Sequence, residues 1–585
     1  MIFPAEDVYF WSKFFATERA VSGVIIIFIY LGITSIFSYV LSFYIAKIYR
    51  DEPTFLRKLT GSVISFFEKI IGESENHQME FKEYFINLLL FNFFAGLISF
   101  LVIMYQKYLP FSYYATGMSP SLDFNTVVSF LTNTNLQHYS NPFRLSYFSQ
   151  TFVITGLMFL SAGTGFAASM AFVRGLRTDV GKIGNFYHDF LVSIFDLILP
   201  LSILVTIILI LAGVPETIQR FISVTPFFTN NTVNIPLGPV ATLEAIKNIG
   251  TNGGGFYGAN AGFPFENPDW FTNLLEFVSF TIIPLGSLMA LGIVFEDRKF
   301  GRMLYYVIMF FFVFDGLFAF FGEYVGVPFL HIGYYTGNML GKETAIGVSQ
   351  SSIFAVGATL TSTGASDGAL VSYTPAGIIG VLIGLLLNDP LGGVGTGVLN
   401  IFMYIIFTVF IGSLMVGKLP ELMSLRIGSK EIKYSTLSLV THPLLVVIPL
   451  GITLMIPHLS STFVNPNSSR ITELLYEFAS AASNNGSEMG GFLTNQPYFN
   501  YLDGVIMLLG RYLLMGFQLV IAQSFSIKKA KVQYLRSIDT SNSVFALLLI
   551  SAMLIIGLLS YFPIIVLGPL LSWTHDFSLI VGAIL

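Results

Sequence analysis

The chain has 585 residues, 54% of them hydrophobic and only 11% charged, with a mean hydropathy of +0.73. Soluble globular chains carry about 25% charged residues, so this composition excludes a soluble domain and describes an integral membrane protein embedded in a lipid bilayer. The net charge of −5 argues against a nucleic-acid partner, and the absence of cysteine excludes disulfides and thiolate metal sites.

A spanning helix takes about 20 apolar residues. In chain order, candidates fall at 23–45, 84–104, 149–172, 190–212, 272–295, 303–322, 374–414, 435–457, 501–526 and 542–568. That makes ten, with 374–414 read as one interrupted span. No short apolar core with an A-x-A site precedes the first of them, so no cleaved leader is expected. The polar stretch 46–83 reads as a surface loop with a short amphipathic helix at 55–71. If the first span runs from outside to inside, the inside connections hold 20 of the 29 basic residues. They include Lys47, Arg50, Arg57 and Lys58, then Arg174 and Arg177, Arg298 and Lys299, Lys418 and Arg426, and finally Lys528, Lys529, Lys531 and Arg536. The positive-inside rule then places both termini outside.

Four of the outside segments share a design: a short helix ending in a small polar cluster. Residues 121–131 lead into Thr132-Asn133-Thr134-Asn135, and 239–249 into Gly250-Thr251-Asn252-Gly253-Gly254-Gly255. Residues 349–360 lead into Thr361-Ser362-Thr363-Gly364, and 471–482 into Ser483-Asn484-Asn485-Gly486-Ser487. Taken singly each cluster reads as a turn. Four of them, each between two spans and on one side of the membrane, read as a fourfold internal repeat. A half-helix that ends at such a cluster aims the negative end of its dipole at a cation. Non-helical backbone at membrane depth must be buried or line a cavity, and carbonyl-lined constrictions replace the water shell of potassium. The expectation is an ion-selectivity filter. The fold class is therefore an all-α membrane protein of about ten spanning helices in a fourfold pseudo-repeat. Its segments are 1–83 (first span and inside loop), 84–173, 174–297, 298–417 and 418–530 (the repeats), and 531–585 (last span).

Two further features stand out. Gly392, Gly393, Gly395 and Gly397 interrupt the seventh apolar segment. They read as a mobile gating loop beneath the filter, or as a close helix-packing patch of small residues. Arg511 lies inside an apolar span, where charge is costly. The seven histidines form no H-x-x-x-H pair, so no metal ion other than one at the filter is expected.

Thr132-Asn133-Thr134-Asn135, Gly250-Thr251-Asn252-Gly253-Gly254-Gly255-Phe256, Pro264-Phe265-Glu266-Asn267-Pro268 and Asn484-Asn485-Gly486-Ser487 resemble the signatures of the potassium-binding subunit of Kdp-type potassium-transporting ATPases. The resemblance runs from Phe81 to at least Tyr512. It implies a potassium-channel-like fold and K+ as the transported ion. It also implies a P-type ATPase partner with small accessory membrane subunits, and a place in a prokaryotic cell (inner) membrane. Carried over residue by residue, it implies a filter of Thr132, Asn133 and Thr134; Thr251, Asn252 and Gly253; Ser362, Thr363 and Gly364; and Asn484, Asn485 and Gly486. Arg511 would then tune the fourth filter or repel ions from a tunnel; the residues alone equally allow an interhelical pair with a carboxylate.

Departures from the family pattern are Leu136 in place of Trp, Asn388-Asp389 in place of Gly-Glu, Asp367 after the third cluster and Glu488 after the fourth. Asp367 and Glu488 are expected to be solvated rim residues. The chain contains no G-x-x-x-x-G-K-[ST] or D-K-T-G motif, so it binds no nucleotide in this reading, and ATP hydrolysis falls to a partner. The alternative is a stand-alone potassium channel or an ion-gradient-driven transporter of the same superfamily.

Overall fold

The computed structural model describes residues 5–573 except 75, 114, 140–142, 227–230, 259, 327–336, 466–467 and 529–537. The two chain ends, and Lys529, Lys531 and Arg536 of the last basic connection, lie outside the described residues. Among the described residues, ten helices are long and apolar enough to cross a membrane. They are Arg19–Tyr49, Phe81–Met104, Ser149–Arg177, Phe186–Leu211, Trp270–Val294, Arg298–Val325, Thr396–Val416, Ser429–Leu454, Pro497–Ser526 and Ser543–Trp573. The seventh apolar segment is broken as anticipated: Pro375–Leu386 is a separate half-span before Thr396–Val416. The amphipathic surface helix runs over Arg57–Ile71.

Four half-helices sit between pairs of spans, at Pro120–Leu131, Val240–Ile249, Gly347–Leu360 and Ser468–Ser483. Local chemistry sets several helix starts. Ser119 accepts a hydrogen bond from the Leu122 N–H ahead of the first half-helix, and Pro120 occupies the first turn, where its missing N–H costs nothing. Thr374 and Pro375 repeat this arrangement at the half-span. Asp269 and Thr272 form a reciprocal capping box at the start of the fifth span.

Burial sorts the spans into two shells. Ser149–Arg177 and Trp270–Val294 are 72% and 78% buried over their most apolar windows, against 28% for Arg19–Tyr49 and 22% for Ser543–Trp573. The first pair is central, and the second pair presents Ile36, Val40, Leu547 and Leu559 outward, as lipid-facing helices do. The first span packs along Trp270–Val294. Two short antiparallel hairpins interrupt the all-helical expectation: Phe221–Val224 with Val233–Pro236, and Glu421–Leu422 with Leu425–Arg426. Both are connections too short to carry a period that sequence patterning detects.

Arg174, counted above as a loop residue, is only 8% exposed. Its guanidinium meets Asp189 through two hydrogen bonds of 2.9 Å and Asp51 through two of 2.6 and 3.2 Å, and it donates to the Ile183 carbonyl at 2.8 Å. This knot ties the third and fourth spans to the end of the first. Removing one partner of a buried pair leaves an uncompensated charge. Asp189→Ala is therefore expected to lower stability by about 3–5 kcal/mol, read as a reduced thermal midpoint in detergent.

Candidate functional site

Each half-helix runs directly into its polar cluster, and the four clusters share one backbone rhythm. Positive φ occurs at alternate residues: Asn133 and Asn135, Thr251 and Gly253, Ser362 and Gly364, Asn484 and Gly486. Alternating right- and left-handed backbone turns successive carbonyls to one side of the strand and N–H groups to the other. This rhythm aligns the clusters as 133–135, 251–253, 362–364 and 484–486. The first is shifted by one residue from the sequence expectation. Asn135 takes the place held by glycine in the other three, and Thr132 falls one step earlier, opposite Thr361. Thr132 and Thr361 play the same part, each bonding the hydroxyl of the threonine two residues on, at 2.8 and 2.6 Å.

The clusters join in chain order into a closed ring. Asn133 Nδ2 donates to Thr251 O at 2.6 Å, and Asn135 Nδ2 to Gly253 O at 2.9 Å. A Cβ on Gly253 would overlap Thr363 O, and one on Gly364 would overlap Asn485 O. Ser362 Oγ donates to Asn484 O at 2.8 Å. Asn484 Nδ2 donates to Thr134 Oγ1 at 3.0 Å, and a Cβ on Gly486 would overlap Thr134 O. All twelve residues named from the sequence are thus brought together, and all of them are buried.

The glycine loop lies against the inner end of this ring. Val394 N donates to Thr251 Oγ1 at 2.9 Å, and Leu391 N and Gly392 N donate to Leu360 O at 3.1 Å. A side chain on Gly393 would press on Thr251 Oγ1, one on Gly395 would overlap Gly165 O, and one on Gly397 would overlap Leu391 O. Arg511 donates to Ser161 O at 2.9 Å. Its guanidinium and the Val394 carbonyl both border Gly165. Among the described residues it pairs with no carboxylate, so the interhelical ion pair is not found: the fixed charge stands beside the loop. Asp389, from the Asn388-Asp389 departure, is fully buried beside Ser362, Ser483 and Asn485.

Several supports were not legible in the sequence. Gln137 bonds both Gly255 N, at 3.0 Å, and Gly255 O, at 3.1 Å. Glu266 of the P-F-E-N-P stretch accepts from Tyr257 N at 2.9 Å, pinning the exit of the second cluster. Burial and the nearby Glu244 push the Glu266 carboxyl well above the usual carboxylate range. Lys247, fully buried on the second half-helix, pairs with Glu244. A lysine and a glutamate three apart on a short helix were the one available signal, and it is common on any exposed helix.

Asp367 is not a solvated rim residue. It is 1% exposed, and burial pushes its carboxyl up to about 7. Glu488 is half-buried, with Oε1 fully enclosed.

The family model of the potassium-transporting ATPase A subunit matches residues 28–573. This chain belongs to that family. Among its relatives is the potassium-transporting ATPase potassium-binding subunit of Thermoplasma acidophilum, 83% identical over 577 residues, covering 99% of each chain. The subunit of that name from Caldanaerobacter subterraneus subsp. tengcongensis is 39% identical and covers 90% of this chain and 95% of its own. Among solved structures, the potassium transporter TrkH of Vibrio parahaemolyticus has a similar fold. The TM-score is 0.51 at 14% identity, over 85% of this chain and 98% of that one.

Gly253 is constrained twice, by a φ of 86° and by the Thr363 carbonyl where a Cβ would stand. Strain of this kind is worth about 1–3 kcal/mol, so Gly253→Ala is expected to weaken potassium affinity by about 5- to 150-fold. Gly253→Asp adds a carboxylate to the ring and is expected to abolish potassium-dependent activity. Normal affinity in a correctly assembled Gly253→Asp protein would remove the ring from ion binding. Asp367 is neutral below its titration point and anionic above it. Potassium affinity is therefore expected to rise between about pH 6 and pH 8, and Asp367→Asn to flatten that rise in an equilibrium binding assay.

Proposed function

We propose that the chain is the potassium-binding, non-hydrolytic subunit of an ATP-driven potassium uptake complex, and that the ring of polar loops is its selectivity filter. The observation that carries this reading is the closed ring of four clusters with alternating left-handed residues, each at the negative end of a half-helix. Such a ring presents backbone carbonyls, the ligands that substitute for the hydration shell of potassium. Four half-helix dipoles add a field that favours a cation over an anion.

Potassium enters from the outer face, loses water at the carbonyls of 133–135, 251–253, 362–364 and 484–486, and arrives above the glycine loop. Gly392, Gly393, Gly395 and Gly397 then act as the gate. The loop rests against Thr251, and the ion leaves sideways or the loop moves. Arg511, a fixed positive charge beside the loop, repels ions that would continue straight through and so favours the lateral path. A P-type ATPase partner receives the ion through an intramembrane tunnel and supplies the energy, and small accessory membrane subunits complete the assembly. The protein sits in a prokaryotic cell membrane with both termini outside. The names of the relatives, which assign potassium binding and membership of an ATPase to a protein 83% identical, support this reading over a stand-alone channel.

The test is purification from native membranes followed by an ATPase assay. A P-type ATPase is expected to co-purify, with a turnover that saturates as potassium is added. A chain that emerges alone and conducts potassium into liposomes without ATP would overturn the proposal in favour of a channel.

A further inference from the structure

Four ionisable side chains converge behind the ring, on the flank where the first and fourth loops meet. His138 stands three residues beyond Asn135, Glu477 lies on the fourth half-helix, Asp503 on the ninth span, and Glu488 just past Ser487. His138 Nδ1 is 2.8 Å from the Asn500 amide oxygen. That acceptor places a ring proton on Nδ1 and turns Nε2 toward the carboxylates, where it hydrogen-bonds Glu477; a metal ion would take the place of the Nε2 proton. Nε2 is 3.2 Å from Glu477 Oε1 and 3.9 Å from Asp503 Oδ2. One ligand atom from each of the three residues lies within 4.8 Å of the others.

All three side chains are sealed from solvent, at 1% exposure or less. Both carboxylate oxygens of Asp503, and Glu488 Oε1, have no hydrogen-bond partner among the described residues. Buried charge is found paired or coordinating a metal. Here the carboxylates outnumber the one imidazole that faces them.

The nature of the cation follows from the donors. Hard cations such as potassium, magnesium and calcium take oxygen ligands, whereas an imidazole nitrogen suits zinc and its first-row neighbours. Zinc–nitrogen and zinc–oxygen bonds near 2.1 Å set tetrahedral ligand atoms about 3.4 Å apart. The His138–Glu477 spacing already meets this, and the His138–Asp503 spacing does so after a shift of about half an ångström.

We propose that His138, Glu477 and Asp503, closed by Glu488, bind one divalent transition-metal ion of the zinc class, separate from the loop carbonyls. The ion joins the first polar loop, the fourth half-helix and the ninth span. Its function is to brace the ring at the seam where the last loop meets the first. The argument rests on these side chains alone and stands whether or not the ring conducts potassium.

The test uses the purified complex, stripped with EDTA and titrated with zinc chloride alone. One equivalent per chain is expected to survive desalting, with a zinc-edge absorption spectrum of one imidazole nitrogen and carboxylate oxygens. Zinc is also expected to raise the thermal midpoint. Asp503→Asn and Glu477→Gln, which preserve shape, are expected to weaken retention by about tenfold or more and to lose the thermal response. His77→Ala is expected to change neither. Its exposed imidazole meets Glu73 and Glu83 and is the control for surface binding. If a variant fails to fold, the wild-type absorption spectrum decides by itself. No retained equivalent in the wild type, a spectrum without imidazole, or retention undiminished in folded Asp503→Asn would overturn the proposal; the pocket then holds protons only.

Discussion

The structure depends on one constraint: four stretches of non-helical backbone lie within a membrane protein, where no water satisfies their polar groups. The chain meets it by setting the stretches against one another. Alternate left-handed residues separate carbonyls from N–H groups, and the side chains of Asn133, Asn135, Ser362 and Asn484 donate to the neighbouring loop. No loop is satisfied alone, so the ring forms as a unit. Glycine at 253, 364 and 486 is required both by φ and by the neighbour's carbonyl. In the first loop Asn135 adopts the same backbone, which asparagine tolerates better than other side chains, and uses its amide to reach Gly253.

Charge around the ring is arranged by depth. Buried carboxylates gather behind and beside the loops, at Glu244, Glu266, Asp367, Asp389, Glu477 and Asp503. The fixed cations are fewer and differently employed. Lys247 is absorbed by Glu244, whereas Arg511 donates to the Ser161 carbonyl and, among the described residues, pairs with no carboxylate.

Much of this was legible in the sequence because it rests on repetition and on hydropathy. Ten spans, the break in the seventh and the four half-helices follow from apolar run lengths, from Pro and Gly, and from polar clusters recurring at the same topological place. The Thr251-Asn252-Gly253 cluster identified its register directly. The first cluster did not, because Thr132-Asn133-Thr134-Asn135 contains no glycine to mark the left-handed position. Asp367 was misjudged for a related reason: a carboxylate after a glycine in a loop reads as solvated unless the fold above it is known. The paired strands 221–224 with 233–236 and 421–422 with 425–426 have too few residues to carry a pattern.

By itself the sequence determined what is set locally or by counting: membrane insertion, the number of spans, the places where helices stop, and the family. Tertiary structure decided the closure of the ring, the seat of Gly392–Gly397 against Thr251, the solitary Arg511 and the gathering of His138, Glu477 and Asp503. Asn135 meets Gly253, 118 positions on, and His138 meets Glu477, 339 positions on. Their proximity comes from the packing of whole helices, which no periodicity or spacing within a single segment encodes.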